Sequence, residues 1–437
     1  MKKVLPFILV TLVLAFAGNT YAAVFNVNSA LQFQTALTAA QSNTDDDTIN
    51  VAADTYTLPA SLTYDSAENN TLTIVGAGAG STILDGNNAV RILDMDTTNV
   101  VGGDAGADII VRGMTFQKGA IAGSGGGLRV ETNAAPVTVE NCAFSENAAS
   151  SDGGGARAYT SSGAITFTNN TFTGNSAGSG GGAYPESSTG AVTLSNNTFE
   201  GNTTTSEGAG AYVYCSSGAI TLTSNAFSGN SALWEGGGAS IYPSSGSATL
   251  TNNTFSGNTS VNFGGGAYVH TGGVAVTMTN NTFAGTNTAA SGGGLYVALH
   301  VDTATANVYN NILWGNTATT AGDDLYVDDD ADGNGTASAI NLFSNDFNEF
   351  DRHLGTSLSR ADNMNQDPLL TGDFHLQAGS PCINAGSATA PGLPATDCDG
   401  EPRTSGAAPD IGADEVQFAA AADGGGCFIE TAGHPTE

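Results

Sequence analysis

Tyrosine and arginine side chains recur at one position of a repeated sequence pattern. A strand follows each glycine-rich stretch, and if its first residue faces a core, the next residue faces outward. This outward column is Arg129, Arg157, Tyr184, Tyr212, Ser240, Tyr268, Tyr296 and Tyr326, and a second column beside it holds Tyr159, Glu186, Tyr214, Tyr242 and His270. Outward aromatic rings in rows can stack on sugar rings or on apolar groups of a partner. The alternative is that the rings stack on one another across strands and only stabilise the sheet.

Three aspartates in the stretch DDDADGNG have the spacing of oxygen ligands in calcium-binding loops. Asp328, Asp330 and Asp332 alternate along the chain, and Gly333 follows where such loops turn sharply. The glutamate that closes an EF-hand loop is missing, since Ala339 stands at that place. The stretch therefore predicts a calcium site, with a solvated acidic loop as the alternative.

Phenylalanines at a nearly constant interval indicate the fold that must position these side chains. The anchors are Phe116, Phe144, Phe172, Phe199, Phe227, Phe255 and Phe283, and only the step from Phe172 to Phe199 is shorter than the others. Each unit contains alternating segments such as AITFT, a corner such as NNTFTGN and a glycine run such as GGGAY. Alternation with a period of two is typical of strands with one buried face, and glycine triplets disfavour helices. Such coils bury a continuous core when they stack as parallel strands, so the sequence predicts an all-β, right-handed parallel β-helix.

Asparagine pairs occupy the same corner of the predicted coils. The pairs are Asn169 and Asn170, Asn196 and Asn197, Asn252 and Asn253, and Asn280 and Asn281. Asparagine tolerates the left-handed backbone conformation, and stacked side-chain amides can hydrogen-bond to one another. We therefore predict a ladder of asparagine turns beside a column of inward phenylalanines.

The two ends of the chain differ from the repeats. The segment 1–22 places Lys2 and Lys3 before an apolar run and ends with small residues, which is typical of a secretory signal peptide. The segment NSALQFQTALTAAQ predicts an amphipathic cap helix with Ser29 as its N-cap. We predict a signal peptide over 1–22, a cap and first strand over 23–60, and β-helix coils over 61–350. A closing segment over 351–417 and an Ala/Gly linker with a short tail over 418–437 complete the chain.

Charge and cysteine content exclude some classes of partner. The chain has 10 basic and 41 acidic residues, and losing Lys2 and Lys3 with the signal peptide changes the formal charge from −31 to −33. Such a protein repels nucleic acid and anionic membranes, and no later stretch is apolar enough for a transmembrane helix. Five cysteines are too few for a disulfide scaffold in an exported chain of this length. We predict one disulfide, between Cys382 and Cys398.

Two motifs resemble known bacterial families. The FxxN and GGA pairing, as at 255–258 and 265–267, resembles the repeats of chlamydial polymorphic outer-membrane proteins and related β-helix surface proteins of the pectin-lyase-like superfamily. The stretches DPLLTGDFHLQAGSPCINAG and DCDGEPRTSGAAPDIGADE resemble the choice-of-anchor segment that closes many secreted β-helix proteins. The stretch GGGCFIETA, which contains Cys427, resembles the start of a CFI-box tail. These resemblances imply a β-helix protein that is secreted or attached to the cell surface.

The pectin-lyase-like superfamily also contains polysaccharide lyases and hydrolases, but their motifs are incomplete here. Lyases need a basic residue to take a proton, whereas Lys118 is the only lysine after the signal peptide. The NTD at 43–45 lacks the later carboxylates and basic motif of the hydrolases it resembles. His353 and His375 lie in the closing segment without an identifiable serine or cysteine partner. No catalytic residue is assigned, although a pair of carboxylates needs no special spacing in sequence.

The sequence predicts a non-catalytic protein with an adhesive, glycan-binding or structural role along its tyrosine-rich face. Its expected partner is an extracellular glycan or a surface protein, with calcium as the only candidate cofactor. The alternative is a carbohydrate-active enzyme, either a polysaccharide lyase or a glycoside hydrolase, on the same fold. Carboxylates of neighbouring coils that converge would favour the enzyme, and scattered acids would favour binding.

Overall fold

A computed structural model of the protein describes residues 22–272, 275–300, 304–328, 338–352 and 357–417. Within these residues the chain forms a parallel β-helix in which each complete coil contributes a strand to four sheets in turn. The predicted tail with Cys427, the histidine His353, and all but the last residue of the predicted signal peptide lie outside the described residues. No helix in the described part of the chain is long and apolar enough to cross a membrane.

Sheets 1 and 2 meet at the asparagine corner. Sheet 1 has thirteen strands: Ala23–Val27, Asp47–Val51, Leu72–Gly76, Ile109–Arg112, Val137–Glu140, Ile165–Thr168, Val192–Ser195, Ile220–Thr223, Ala248–Thr251, Ala275–Thr279, Thr305–Tyr309, Ala339–Phe343 and Ser357–Ala361. Sheet 2 has eleven: Asp54–Thr57, Thr82–Asp85, Thr115–Gln117, Ala143–Ser145, Thr171–Thr173, Thr198–Glu200, Ala226–Ser228, Thr254–Ser256, Thr282–Ala284, Ile312–Leu313 and Asp346–Phe347.

Sheets 3 and 4 are joined by the glycine runs. Sheet 3 has eight short strands: Ala120–Ile121, Ala148–Ala149, Ser176–Ala177, Thr203–Thr204, Ser231–Ala232, Thr259–Ser260, Thr288–Ser291 and Thr317–Ala321. Sheet 4 has eleven: Leu62–Asp65, Leu93–Asp96, Leu128–Thr132, Ala156–Thr160, Ala183–Ser187, Ala211–Cys215, Ala239–Pro243, Ala267–Thr271, Leu295–Leu299, Leu325–Asp328 and Phe350–Arg352. The predicted all-β parallel β-helix is confirmed, with about eleven coils.

The phenylalanine anchors form a continuous stack inside the coils. Neighbouring anchors are paired in register, from Phe116 with Phe144 to Phe255 with Phe283. Ring centroids along this stack lie 4.4–4.9 Å apart, and the rings are within 6° of parallel. All seven side chains are at most 1% exposed, so each contributes about 1.5–3 kcal/mol through burial.

The two residues of each asparagine pair have different structural roles. The first residue of each pair has a left-handed backbone, as at Asn169 with φ 56° and Asn252 with φ 57°. The second residue is buried, and its amide links coils: Asn170 Nδ2 donates to Asn197 Oδ1 at 3.0 Å and to the Val139 carbonyl at 2.8 Å. The same bonding continues through Asn197, Asn225, Asn253, Asn281, Asn311 and Asn345.

A second buried ladder follows the phenylalanines, and the sequence analysis missed it. It consists of Asn147, Asn175, Asn202, Asn230, Asn258, Asn287 and Asn316 and ends on Asp324. Asn230, for example, donates to Asn258 Oδ1 at 2.9 Å and to the Phe199 carbonyl at 3.0 Å. The ladders therefore satisfy polar groups at the corners that would otherwise be buried without partners.

The glycine runs let the backbone approach the phenylalanine stack closely. Gly180 has φ 62°, which glycine adopts without strain. A Cβ on Gly182 would lie 2.4 Å from the Gly210 carbonyl oxygen and 3.0 Å from the Phe199 ring. A larger residue there would displace the backbone that leads into sheet 4.

The predicted cap helix is present over Ala30–Ala40. Ser29 is its N-cap and accepts a hydrogen bond from the Gln32 amide at 3.2 Å. The helix buries Phe33, Leu37 and Ala40 against the first coil. Burial of these side chains holds the helix over the open edge of the solenoid.

The strands continue beyond the predicted end of the coils at 350. Phe350–Arg352 and Ser357–Ala361 still pair in register with the preceding coil. At the other end, three strands precede residue 61 rather than one. These flanking strands lack the phenylalanine and glycine motifs that define the repeat.

The closing segment folds back along the asparagine corner. Asn252 Nδ2 donates to the Thr396 carbonyl at 2.7 Å, and Asn280 Nδ2 donates to the Asp410 carbonyl at 2.9 Å. Arg403, 1% exposed, donates to Asn252 Oδ1 at 2.7 Å. The first asparagines of these pairs therefore bind the closing segment as well as making turns.

Candidate functional site

Sheet 4 aligns the predicted outward column. Arg129 pairs in register with Arg157, and Tyr212 pairs with Ser240. Ser240, Tyr268, Tyr296 and Tyr326 then follow in register. We call Tyr184, Tyr212, Tyr242, Tyr268, Tyr296 and Tyr326 the tyrosine face.

The rings of the tyrosine face stack on one another. Ring centroids of Tyr184 and Tyr212 lie 4.5 Å apart, and those of Tyr268 and Tyr296 lie 5.4 Å apart. Tyr268 and Tyr296 are only 6% and 4% exposed, since Phe263 packs against both. Neighbouring rings therefore occupy the ring faces in this stretch, as the cross-strand stacking alternative describes. The hydroxyls of Tyr242 and Tyr296 are hydrogen-bonded to carboxylates, and a role of the face in binding stays a prediction.

The predicted arginines are held by acidic neighbours. Arg129 Nη1 lies 2.7 Å from Asp94 Oδ1, and the same guanidinium pairs with Glu131. Arg157 Nη2 lies 2.6 Å from Glu186 Oε2, and its guanidinium stacks 4.6 Å from the Tyr184 ring centroid. Both side chains are mostly buried, so they extend the sheet-stabilising stack rather than form a free basic patch.

Two glutamates of adjacent coils converge on one tyrosine hydroxyl. Tyr242 Oη lies 3.0 Å from Glu207 Oε2 and 2.5 Å from Glu235 Oε2. Each glutamate directly precedes a glycine run, and the Gly208 amide donates to the Glu235 carbonyl at 2.9 Å. We call Glu207, Glu235 and Tyr242 the Glu–Tyr cluster, which the sequence analysis did not identify. The sequence feature that could have revealed this cluster is a glutamate at the same position of two successive repeats.

The Glu–Tyr cluster places two carboxyl groups against a single phenolic hydrogen. A phenol has one hydrogen, so it can donate to only one of two carboxylates. The two glutamates therefore compete for this one hydrogen. Burial raises the pKa of both glutamates, and the charge of Glu207 raises that of Glu235 further. The cluster therefore favours the protonated form of its glutamates more than an exposed site would.

An exposed apolar patch lies beside the Glu–Tyr cluster. Leu233, Trp234 and Val261 are 51%, 57% and 58% exposed. The Trp234 amide donates to the Ser206 carbonyl at 3.0 Å, which pairs the backbone positions that directly precede Glu235 and Glu207. The sequence analysis missed this tryptophan because it follows sheet 3 and is outside the repeated motif.

Two histidines extend the second outward column. The His270 ring stacks on Tyr242 at 5.0 Å and on His300 at 4.3 Å. His270 Nδ1 is buried without a hydrogen-bond partner in the described structure. Burial, with the nearby His300, lowers the pKa of His270 to about 4. His270 is therefore neutral at physiological pH.

Most of the predicted calcium loop falls outside the described residues. Asp330 and Asp332 belong to the stretch 329–337, which is not described. Asp328 Oδ2 accepts a hydrogen bond from Tyr296 Oη at 2.6 Å. The calcium site stays a prediction.

The disulfide predicted between Cys382 and Cys398 is not present in the structure, where both residues are free thiols. The Cys382 thiol is buried beside Ile312 and Ile411 and donates to Asp346 Oδ2 at 3.3 Å. Cys398 lies instead beside His375 and Asp399. The two thiols face different surroundings, and proximity in sequence did not bring them together.

Comparisons with known proteins agree with the observed architecture. A family model described as a right-handed β-helix region matches residues 63–283 and 192–348. No curated protein matches the chain. Among solved structures, a polysaccharide lyase of the PL6 family from Pseudopedobacter saltans has 12% sequence identity and a TM-score of 0.42, and the match covers 80% of this chain and 94% of that chain. Likeness at this level carries no statement about substrate or reaction.

Proposed function

The chain belongs to the right-handed β-helix family, and we propose that it is an exported protein that binds an extracellular glycan beside the Glu–Tyr cluster. One observation carries this proposal: the exposed Trp234 directly precedes Glu235, one of two glutamates whose carboxyl groups converge from adjacent coils. Aromatic faces stack on the apolar faces of sugar rings, and carboxyl groups accept hydrogen bonds from sugar hydroxyls. Trp234 takes the stacking role that the sequence analysis gave to the tyrosines.

The tyrosine face supports this site by making it rigid. Stacked rings and the underlying sheet fix Tyr242, and Tyr242 in turn fixes Glu207 and Glu235. A site that is ordered before binding loses little entropy when the ligand arrives. The acidic surface of the chain favours neutral or cationic glycans over polyuronates, because like charges repel.

Glycoside hydrolysis is a second candidate, favoured by the closeness of the two glutamates. Their oxygens lie 3.0 Å and 2.5 Å from the same hydroxyl, so the separation of the two oxygens cannot exceed the sum of these distances. The two oxygens are therefore no farther apart than the carboxyl groups of retaining glycosidases, which lie about 5–5.5 Å apart. Binding is nevertheless the better supported role, because the Tyr242 hydroxyl occupies the space where the scissile bond would lie.

The test is a glycan array with polysaccharide pull-down on the purified mature protein, with and without calcium. Binding is expected, and Trp234→Ala is expected to weaken it about tenfold, which corresponds to about 1.4 kcal/mol. Leu31→Ala is the matched control, since Leu31 is a 78% exposed apolar side chain on the cap helix. Equal losses in both variants, or no binding by the wild type, would refute the proposal.

The same tubes separate binding from hydrolysis. New reducing ends that appear with the wild type and vanish with Glu207→Gln and Glu235→Gln would support hydrolysis. Dependence of binding on calcium would support the site predicted at Asp328, Asp330 and Asp332. Export is tested by fractionating cells that express the full chain, and a cytoplasmic location would contradict it. The resemblances to polymorphic repeats, the choice-of-anchor segment and the CFI-box tail support a surface location and remain part of the proposal.

A further inference from the structure

Three side chains that can bind a metal ion meet in the closing segment. His375, Cys398 and Asp399 each offer one ligand atom, and these atoms all lie within 4.8 Å of one another. The sequence analysis found no cysteine partner for His375, because Cys398 is remote from it along the chain. The fold brings them together through two short connections. His375 is held by a tight turn in which the Thr371 amide donates to the His375 carbonyl at 2.8 Å, and the Cys398 amide donates to the Ala413 carbonyl at 3.1 Å.

The His375 ring lies between two carboxylates. Nε2 lies 2.7 Å from Asp399 Oδ2, and Nδ1 lies 3.3 Å from Asp373 Oδ1. A neutral imidazole carries one proton, so it satisfies only one of these contacts. Loss of the proton from Nε2 on metal binding would leave a lone pair towards Asp399 and Cys398, while Nδ1 keeps its proton towards Asp373. A histidine oriented by an outer carboxylate in this way is the usual arrangement at protein zinc sites.

The electrostatic surroundings of Cys398 favour a cation rather than a reactive thiolate. Cys398 lies beside acids: Asp399 offers an oxygen next to its thiol, and Asp397 and Asp414 each place a carboxylate oxygen within 4.8 Å of one of Asp399. Nucleophilic cysteines need the opposite, a positive environment that lowers the pKa. A bound divalent cation would stabilise the thiolate and offset the repulsion among these acids.

We propose that His375, Cys398 and Asp399 bind a divalent transition metal ion of the zinc class, with Asp373 orienting His375 from outside. Nitrogen, sulfur and oxygen ligands together suit zinc, whereas calcium and magnesium take oxygen ligands alone. The side chains of His375 and Asp399 are 39% and 49% exposed, so water can reach the metal and complete four-fold coordination.

The neighbouring acids Asp397 and Asp414 are less suited to be ligands. Asp397 accepts from the amides of Asp399 and Glu401 at 3.0 Å and 2.8 Å, and its second oxygen accepts from the Glu415 amide at 3.2 Å. Asp414 Oδ2 accepts from the Leu376 amide at 2.7 Å. These oxygens already hold the backbone of the closing segment. Their task is to shape the loop that presents Cys398 and Asp399.

The experiment is a cobalt(II) titration of the purified mature protein after treatment with a chelator. The expected result is one cobalt ion per chain, with the near-ultraviolet charge-transfer band that a cobalt–thiolate bond produces, and displacement of that cobalt by zinc. Cys398→Ser should abolish the band, because the sulfur ligand is lost. Asp373→Asn should retain the band but weaken affinity about 10- to 100-fold, as expected for an outer carboxylate.

Cys215→Ser is the matched control for the loss of a buried thiol. Ser187 occupies the equivalent position one coil earlier, so serine is compatible with this place in sheet 4. Its cobalt band should equal that of the wild type. Absence of cobalt and zinc binding by the folded wild type, or a band that persists in folded Cys398→Ser, would overturn the proposal.

Two further measurements keep the test decisive if Cys398→Ser fails to fold by circular dichroism. Asp399→Asn and His375→Gln keep all cysteines, and folded forms of both should lose affinity for zinc by at least tenfold, measured as bound zinc per chain after dialysis. Unchanged zinc content in both would overturn the proposal. A rise in melting temperature with calcium that Asp399→Asn abolishes, together with no rise with zinc, would overturn the assigned metal class.

Discussion

Truncation of one ring in the phenylalanine stack is expected to destabilise the solenoid strongly. Phe227 is 1% exposed and lies between Phe199 and Phe255, with ring centroids 4.8 Å and 4.7 Å away. Phe227→Ala removes this burial and both stacking contacts and leaves a cavity. Buried Phe→Ala substitutions cost about 3–5 kcal/mol, a large part of the roughly 5–15 kcal/mol that stabilises a typical domain.

The substitution Phe227→Ala leaves the asparagine ladder intact, because the ladder contacts the backbone of Phe227 and not its side chain. Asn258 Nδ2 donates to the Phe227 carbonyl at 2.9 Å, a contact that the side-chain truncation leaves in place. Phe227→Leu is the graded control, since Leu313 already occupies the equivalent position beside Phe283. We expect Phe227→Leu to cost on the order of 1.5 kcal/mol.

The assay is equilibrium unfolding in urea followed by tryptophan fluorescence. Trp234 lies near Phe227 in sequence, in the adjoining part of the solenoid, and Trp314 lies in a later coil, so single-tryptophan variants report local and distant unfolding separately. The Trp234 transition should move to lower urea first. A loss below about 1 kcal/mol for Phe227→Ala, or an equal loss for Phe227→Leu, would refute the inference that ring stacking and burial stabilise the core.

Two other predictions concern buried polar groups. Asn230→Ala should lower the free energy of unfolding by about 1–3 kcal/mol, because it removes the side-chain amide that donates to Asn258 Oδ1 and to the Phe199 carbonyl; a urea midpoint within error of the wild type would contradict this. His270 has its pKa lowered to about 4 in the folded state from 6.5, so it stabilises the fold fully above pH 6.5, and this contribution is lost as the pH falls from 6.5 towards 4. Thermal melts between pH 7 and 4 should show this loss, and His270→Gln should flatten the profile, whereas identical profiles would contradict the assignment.

The alignment of the coils could be predicted because the repeat is local and periodic. The interval between phenylalanines set the register, and the alternation of residues set which side chains enter the core. The Ser29 cap and the left-handed turn at Asn169 were likewise predictable, since both depend on a residue's own backbone and near neighbours. These features can be predicted without knowing which residues remote in sequence come into contact in the fold.

The candidate sites depend on contacts that no local pattern encodes. Tyr242 and Glu207 are 35 residues apart, yet their side chains hydrogen-bond across coils. The same repeat that aligned the tyrosines also stacked them, which closed the ring faces that the sequence analysis left open for a ligand.

The sequence by itself determined the solenoid, its period, its cap helix and the inward or outward direction of each repeated side chain, because short-range geometry and a regular hydrophobic pattern suffice for these. Only the tertiary structure decided that Cys398 lies by His375 and not by Cys382, that Trp234 is open to solvent, and that two glutamates contact one tyrosine hydroxyl. The physical reason is that burial, pKa and ligand geometry depend on distances between residues remote in sequence, and these distances are fixed when the coils stack and the closing segment folds back on them.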